Sequence, residues 1–141
     1  MPHRLDIHRC AAAVHACGDG AVVSHRSAAQ LWGLLPDGGD VELTVPDGRA
    51  APRRAGVIVH RATDLAPSAR TIEHGIPVTT IARTLFDLAG NVPAHQLRRA
   101  VERAQRFDGV DARLVRALLS PGGGTGGAAA SGGSPPARAP R

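Results

Sequence analysis

The sequence contains no lysine and no tyrosine, and its 141 residues include only one tryptophan and two phenylalanines. Proteins that bind single-stranded nucleic acid stack its bases on aromatic side chains, so this scarcity argues against that function. All 17 basic residues are arginine, which together with abundant glycine and alanine is typical of GC-rich coding DNA. The number of arginines therefore says little, and their positions along the chain are more informative.

Long apolar runs are also missing. No stretch approaches the ~18 apolar residues that a membrane-spanning helix needs. No apolar run with a cleavage site follows the first few residues, so the start does not resemble a secretory signal. We therefore expect a cytoplasmic protein without membrane association.

The sequence has only two cysteines, Cys10 and Cys17. On a helix, a rise of ~1.5 Å per residue separates their Cα atoms by about 10 Å, which exceeds the ~7 Å reach of a disulfide. A zinc site would have to recruit His15 or His25, but no Cys-x-x-Cys or His-x-x-x-His spacing supports one. We expect two buried thiols, no metal site and no cofactor.

Charge is distributed unevenly along the chain, which has a formal net charge of +5. Residues 1–94 carry nine arginines and nine acidic residues, residues 95–120 carry six against three, and residues 121–141 add two arginines. The positive excess thus lies in the last third, which permits binding to nucleic acid or another polyanion.

Hydrophobic periodicity predicts an α+β fold, with several helices packed on a small, mostly antiparallel sheet. The first half of the chain predicts helices over 5–17 and from 25 to 31 or 32, then strands over 41–45 and 56–60. A hairpin with its turn at His74-Gly75 follows, and Pro77 is expected to restrict its second strand to an edge of the sheet.

The second half predicts three helices. Thr79 or Thr80 can cap the first, which ends near Gly90, and Pro93 suits the first turn of the second. The apolar stripe of the second helix consists of Leu97, Ala100, Val101 and Ala104. A short third helix is expected over residues 111–119.

The end of the chain has a different composition. From residue 121 onward, 18 of 21 residues are Gly, Ala, Ser or Pro, which bury too little apolar surface to offset the entropy of ordering. We therefore expect one domain over residues 1–120 and a disordered tail over residues 121–141. GC-rich DNA translated out of frame has the same composition, and we interpret the tail as the sign of a truncated gene.

Ser24 and His25 raise the question of a catalytic serine. Neighbouring side chains on a helix point about 100° apart, which would keep the imidazole from the hydroxyl, and no Gly-x-Ser-x-Gly turn presents the serine. The preferred interpretation is that Ser24 or Ser27 caps a helix, contributing about 1 kcal/mol. On that helix, Trp32 is expected to be a core residue.

Asp40 and Glu42 suggest a nuclease, because paired carboxylates can hold a magnesium ion. Restriction-type nucleases add a lysine two residues beyond the second carboxylate, and this chain has no lysine. We therefore interpret both residues as solvent-facing carboxylates beside a strand.

The best candidate for a binding surface is the predicted helix after Pro93. Its arginines lie opposite the apolar stripe, and two more follow on the next helix. The candidate nucleic-acid-binding residues are Arg98, Arg99, Arg103, Arg106, Arg113 and Arg116. The alternative is a solvated outer face in which Glu102 neutralises Arg98 or Arg106 at i, i+4 spacing.

A succession of segments resembles the central domain of the AbiEi-type antitoxin family. The segments are AVVSHRSAAQLWGL, VELTV, GVIVHRA and GIPVTTIARTLFDLAG, in the family's order and spacing over residues 14–119. The resemblance implies a non-enzymatic transcriptional regulator of a type IV toxin-antitoxin system, whose toxin is a nucleotidyltransferase. Within such a regulator, the positive surface around Arg99, Arg103 and Arg106 would supply weak, sequence-independent contacts with DNA phosphate, and sequence recognition would belong to a winged helix.

Two departures from the family pattern bear on function. Relatives usually begin with a winged helix-turn-helix that reads the operator, whereas only about twenty residues precede AVVSHRSAA here. Many relatives continue into a Vsr-like endonuclease domain, whereas this sequence continues into the Gly/Ala/Pro-rich tail. We interpret the chain as part of a longer regulator. The alternatives are a remnant of a Vsr-like DNA endonuclease that lacks its catalytic domain, and a fragment with no activity.

Overall fold

The computed structural model describes residues 7–46, 54–63, 65–107, 110–111, 113 and 116–117. Its helices are α1 (Ile7–Cys17), α2 (His25–Trp32), α3 (Ile81–Leu88) and α4 (Ala94–Ala104). Its strands are β1 (Val22–Val23), β2 (Val41–Pro46), β3 (Val57–Ala62), β4 (Arg70–Glu73) and β5 (Ile76–Thr79). A short 3-10 turn, Pro67–Ala69, precedes β4. The predicted α+β class is confirmed.

The five strands form one mixed sheet in the order β3-β2-β1-β5-β4. The pairs β1-β2 and β4-β5 are antiparallel, whereas β2-β3 and β1-β5 are parallel. The sheet is therefore less antiparallel than the sequence predicted, because only the β4-β5 hairpin is joined by a tight turn.

The prediction that Pro77 confines its strand to an edge was wrong, since β5 lies between β1 and β4. Strand β1 is only two residues long and pairs with β5 only at Val23↔Val78. Most of β5 therefore forms no backbone hydrogen bonds with β1, and the amide hydrogen that Pro77 lacks is not needed on that side.

One core lies between α1 and the sheet. Cys10, Ala13 and Cys17 of α1 pack on alternate residues of β2. Val41, Leu43 and Val45 are all buried. Because side chains alternate along a strand, Glu42 and Thr44 point to the opposite face of the sheet.

A second core joins α2, α3 and α4. The predicted stripe of α4 is confirmed, since Leu97, Ala100, Val101 and Ala104 are all buried in it. Trp32, which was expected to be a core residue, packs against both cores but is only partly buried, so it lies at the margin between them. Its indole Nε1–H donates to the Thr79 carbonyl at 2.9 Å, which holds the ring at the end of β5.

The helix boundaries follow local signals. Thr80 caps α3, as its hydroxyl accepts a bond from the Arg83 amide at 3.3 Å, which confirms one of the two predicted caps. Gly33 ends α2 with a φ of +81°, a left-handed conformation that glycine adopts without steric cost.

Two further predictions concern residues largely outside the described part. Most of the helix predicted over 111–119 and the whole tail over 121–141 lie there. In the part that is described, no helix is both long enough and apolar enough to cross a membrane.

Candidate functional site

A buried polar cluster lies on the face of the sheet opposite α1. Glu42 and Thr44 share this face of β2, and the β2-β3 register places His60 beside Thr44. The Ser24 amide donates to the Glu42 carbonyl at 3.0 Å, which continues the pairing of β1 with β2 up to the start of α2. Three separate elements therefore bring polar side chains to one place.

We call His25, Glu42 and His60 the histidine–glutamate cluster. His60 Nε2 and Glu42 Oε1 are 2.9 Å apart. The two imidazole rings are stacked, with centroids 3.7 Å apart and planes inclined by 15°. The exposed fractions are only 9% for His25 and Glu42 and 7% for His60, so the cluster is part of the interior.

The backbone at His25 explains how its ring reaches this position. Although α2 begins there, His25 has a φ of +55°. A side chain with Cβ rarely adopts this region, at a cost of about 1–3 kcal/mol. His25 Nδ1 and Ser24 Oγ consequently lie 2.8 Å apart. The expectation that the helix would keep this imidazole from the hydroxyl was wrong, because His25 does not have a helical backbone.

The two serines do not cap α2 as predicted. Ser24 occupies the N-cap position but its side chain makes no capping bond, and its Oγ instead accepts a hydrogen bond from Thr44 Oγ1 at 2.7 Å. Ser27 Oγ accepts from the Glu42 amide at 2.8 Å and donates to the Asp40 carbonyl at 3.3 Å. Strand β2 offers closer partners than the first turn of the helix, so both hydroxyls fasten α2 to β2.

The interpretation of Asp40 and Glu42 as a solvent-facing pair needs correction. Asp40 is exposed, but Glu42 is buried against His60. The two carboxylates lie in different environments, because Asp40 precedes β2 whereas Glu42 is part of the strand and is covered by His60.

The cysteines occupy the core rather than a site. Cys10 and Cys17 are both buried and form no disulfide within the described chain. Burial raises the pKa of the Cys17 thiol, and nearby Arg54 and Arg61 offset only part of this shift. A thiol with a raised pKa stays protonated at neutral pH and is a poor nucleophile or metal ligand.

The predicted arginines lie on the outer side of α4 and beyond it. All six, Arg98, Arg99, Arg103, Arg106, Arg113 and Arg116, are exposed. We call the first four the arginine face. The predicted neutralisation by Glu102 is not observed, since no ion pair joins it to Arg98 or Arg106 in the described structure.

The chain as a whole was compared with known proteins. The family model described as the AbiEi antitoxin C-terminal domain matches residues 14–120. Among curated proteins, none matches the sequence. The matched segment includes β1 to β5, α2 to α4 and the whole histidine–glutamate cluster, and it agrees with the span inferred from the sequence motifs. The chain therefore belongs to the AbiEi antitoxin family, through its C-terminal domain, and at that level it is a regulator of a toxin-antitoxin system.

Proposed function

We propose that this domain is a non-catalytic part of a type IV antitoxin and that its arginine face contacts DNA phosphates without reading the base sequence. The observation that carries the proposal is the concentration of four exposed arginines on the outer side of α4 and just after its end. Within the described residues, no carboxylate forms an ion pair with any of the four.

Other arginines of the domain are used differently. Arg26 donates to Gln96 Oε1 at 3.1 Å, Arg70 donates to the Gly20 carbonyl at 2.9 Å, and Arg83 pairs with Asp87 at 2.9 Å. These bonds tie elements of the domain together. The arginines of the arginine face point to solvent, which leaves their guanidinium groups available for an external anion.

Positive charge on this face favours phosphate over other partners. Guanidinium groups bind phosphate oxygens through charge-assisted, often bidentate hydrogen bonds. Such contacts supply affinity and fix the position of a protein on DNA, but they carry no sequence information. The recognition of an operator is then the task of another part of the regulator.

The proposal that the domain is not an enzyme rests on three features. Ser24 has no exposed surface and is therefore inaccessible to a substrate. The raised pKa of Cys17 keeps that thiol protonated. Asp40 and Glu42 differ in exposure, which is unsuited to a shared magnesium ion.

The toxin is the second proposed partner. The antitoxin would neutralise a nucleotidyltransferase toxin encoded beside it, and this activity would not involve the arginine face. The test is to express such a toxin with and without this chain and to measure the growth of the cells. Restored growth supports an antitoxin, and unchanged toxicity contradicts it.

DNA binding is best tested by fluorescence anisotropy with two short duplexes of unrelated sequence, between about 50 and 200 mM salt. We expect weak binding of both duplexes with equal affinity. The variant Arg99→Ala/Arg103→Ala/Arg106→Ala should reduce the slope of log K against log salt by about 2.7, since each lost contact removes ~0.9.

A matched control removes the same charge elsewhere, with Arg54→Ala/Arg138→Ala/Arg141→Ala. This variant should retain most of the salt slope. If the control loses as much slope as the α4 variant, only net charge matters and the arginine face is not a binding surface. If the triple variant of the arginine face gives an unchanged titration, the arginine face is likewise not a binding surface.

A further inference from the structure

The histidine–glutamate cluster buries polar groups whose cost is offset, within the domain, by the His60–Glu42 and His25–Ser24 contacts. Two histidines and a glutamate are buried at one place on the sheet. Buried ionisable groups in proteins are paired, hydrogen-bonded or bound to a metal. The domain could have filled this space with apolar side chains, as it does on the opposite face of β2.

We propose that the cluster binds one divalent transition-metal ion of the zinc class, through His25, Glu42 and His60. Imidazole nitrogen together with carboxylate oxygen is a donor set that zinc accepts readily. One ligand atom from each residue lies within 4.8 Å of the other two. The three residues come from α2, β2 and β3, so an ion here would join three elements.

The distance between His60 and Glu42 is compatible with an ion after a small adjustment. Zinc bonds of about 2.0–2.2 Å in tetrahedral geometry place neighbouring ligand atoms about 3.3 Å apart. The His60 and Glu42 atoms are 2.9 Å apart, so the ion would replace the hydrogen between them with little movement. A water molecule would complete the four ligands, because the protein provides three.

The stacked rings require the larger movement. An imidazole nitrogen holds a metal in the plane of its ring, and two nearly parallel planes cannot both contain the same ion. His25 and His60 are stacked within 15° of parallel. Binding must therefore turn one of the two rings out of the stack, which gives the bound state a detectable signature.

The surroundings of His25 are those of an oriented ligand. Ser24 Oγ lies 2.8 Å from His25 Nδ1 and is itself held by Thr44. Ring nitrogens that face away from a metal are usually fixed by such a second partner. The φ of +55° at His25 adds local strain of the kind found at functional sites. Ser24 is thus a positioning residue for the ion.

The experiment titrates the complete 141-residue chain, freed of metal, with Zn²⁺ in a calorimeter and with Co²⁺ in an absorption spectrometer. We expect one saturable site per chain, a melting temperature that rises with Zn²⁺, and visible Co²⁺ bands without a thiolate charge-transfer band. NMR of the imidazole signals should show that the stacking of His25 on His60 is lost on binding.

Variants separate this site from adventitious histidine binding. Glu42→Gln is nearly isosteric and should weaken binding by at least about 100-fold, and Ser24→Ala by about 10- to 100-fold. His74→Ala is the matched control, because His74 also lies near a glutamate, at 3.9 Å from Glu73, but is exposed. It should bind as the unaltered chain does.

Three results would overturn the proposal. The first is the absence of a saturable site in a chain whose circular dichroism is native. The second is equal affinity in Glu42→Gln and the unaltered chain, and the third is a thiolate band that assigns the ion to Cys10 or Cys17. The Co²⁺ spectrum of the unaltered chain remains decisive even if a variant fails to fold. None of these results depends on DNA binding.

Discussion

Replacement of Ser24 by alanine removes one oxygen atom and two buried hydrogen bonds. Thr44 Oγ1 and His25 Nδ1 lie 2.7 and 2.8 Å from that oxygen. The exposed fractions of Thr44 and His25 are 4% and 9%, so water cannot easily replace it. Each buried group deprived of such a bond costs about 1–3 kcal/mol, so two groups predict a loss of about 2–6 kcal/mol in the free energy of unfolding.

The magnitude distinguishes this network from a helix cap. A lost cap costs typically ~1 kcal/mol, whereas the predicted loss is a large part of the 5–15 kcal/mol that stabilises an ordinary domain. Urea denaturation followed by circular dichroism measures the difference, with an unchanged m-value as the sign that the unfolded state is unaffected.

Two variants accompany the measurement. Ser24→Ala/Thr44→Val also removes the second hydroxyl and should recover about 1–3 kcal/mol, because a pair of polar groups replaced together leaves fewer unsatisfied atoms. Ser68→Ala, at an exposed position, should change stability by less than about 0.5 kcal/mol. A loss below about 1 kcal/mol in Ser24→Ala would refute the buried network.

Three further predictions concern the core and the turns. Trp32→Ala should destabilise the domain by about 3–5 kcal/mol, as measured by urea denaturation, and the indole emission of the native chain should be blue-shifted relative to exposed indole. Gly20→Ala should cost more than Gly33→Ala, since both have positive φ but only at Gly20 does a new Cβ approach Pro46 Cγ to 2.8 Å; equal losses would contradict this. Because the pKa of the Cys17 thiol is raised in the native state, the native state holds its proton more tightly. Stability should therefore be complete below the unfolded thiol pKa and fall as pH rises above it, less so in Cys17→Ala.

The sequence predicted most helices because their signals are local. The apolar stripe of α4 repeats every three to four residues and needs no knowledge of its partner, and all four of its residues are buried. The cap at Thr80 is equally local. The order of strands is not a local property, so the parallel pairs and the interior position of Pro77 could not be inferred from alternation alone.

The histidine–glutamate cluster escaped prediction for the same reason. Glu42 and His60 meet only because β2 and β3 are parallel in the register Val41↔Val57. His25 reaches Glu42 and His60 only because its φ is positive, and nothing in the sequence SHRSAA predicts that conformation. One signal was available: Glu42, Thr44 and His60 interrupt otherwise apolar strands, and a polar residue in such a strand requires a buried partner.

The most direct test of phosphate contact by the arginine face is NMR of arginine Nε–Hε groups during titration with a DNA duplex at low salt. Because the chain has no lysine, all of its Lys/Arg-type charges are arginines, which this experiment observes. We predict that the signals of Arg98, Arg99, Arg103 and Arg106 shift together and return when salt is added, while those of Arg26, Arg70 and Arg83 stay in place. Shifts confined to other arginines, or no shifts at all, would contradict the proposal.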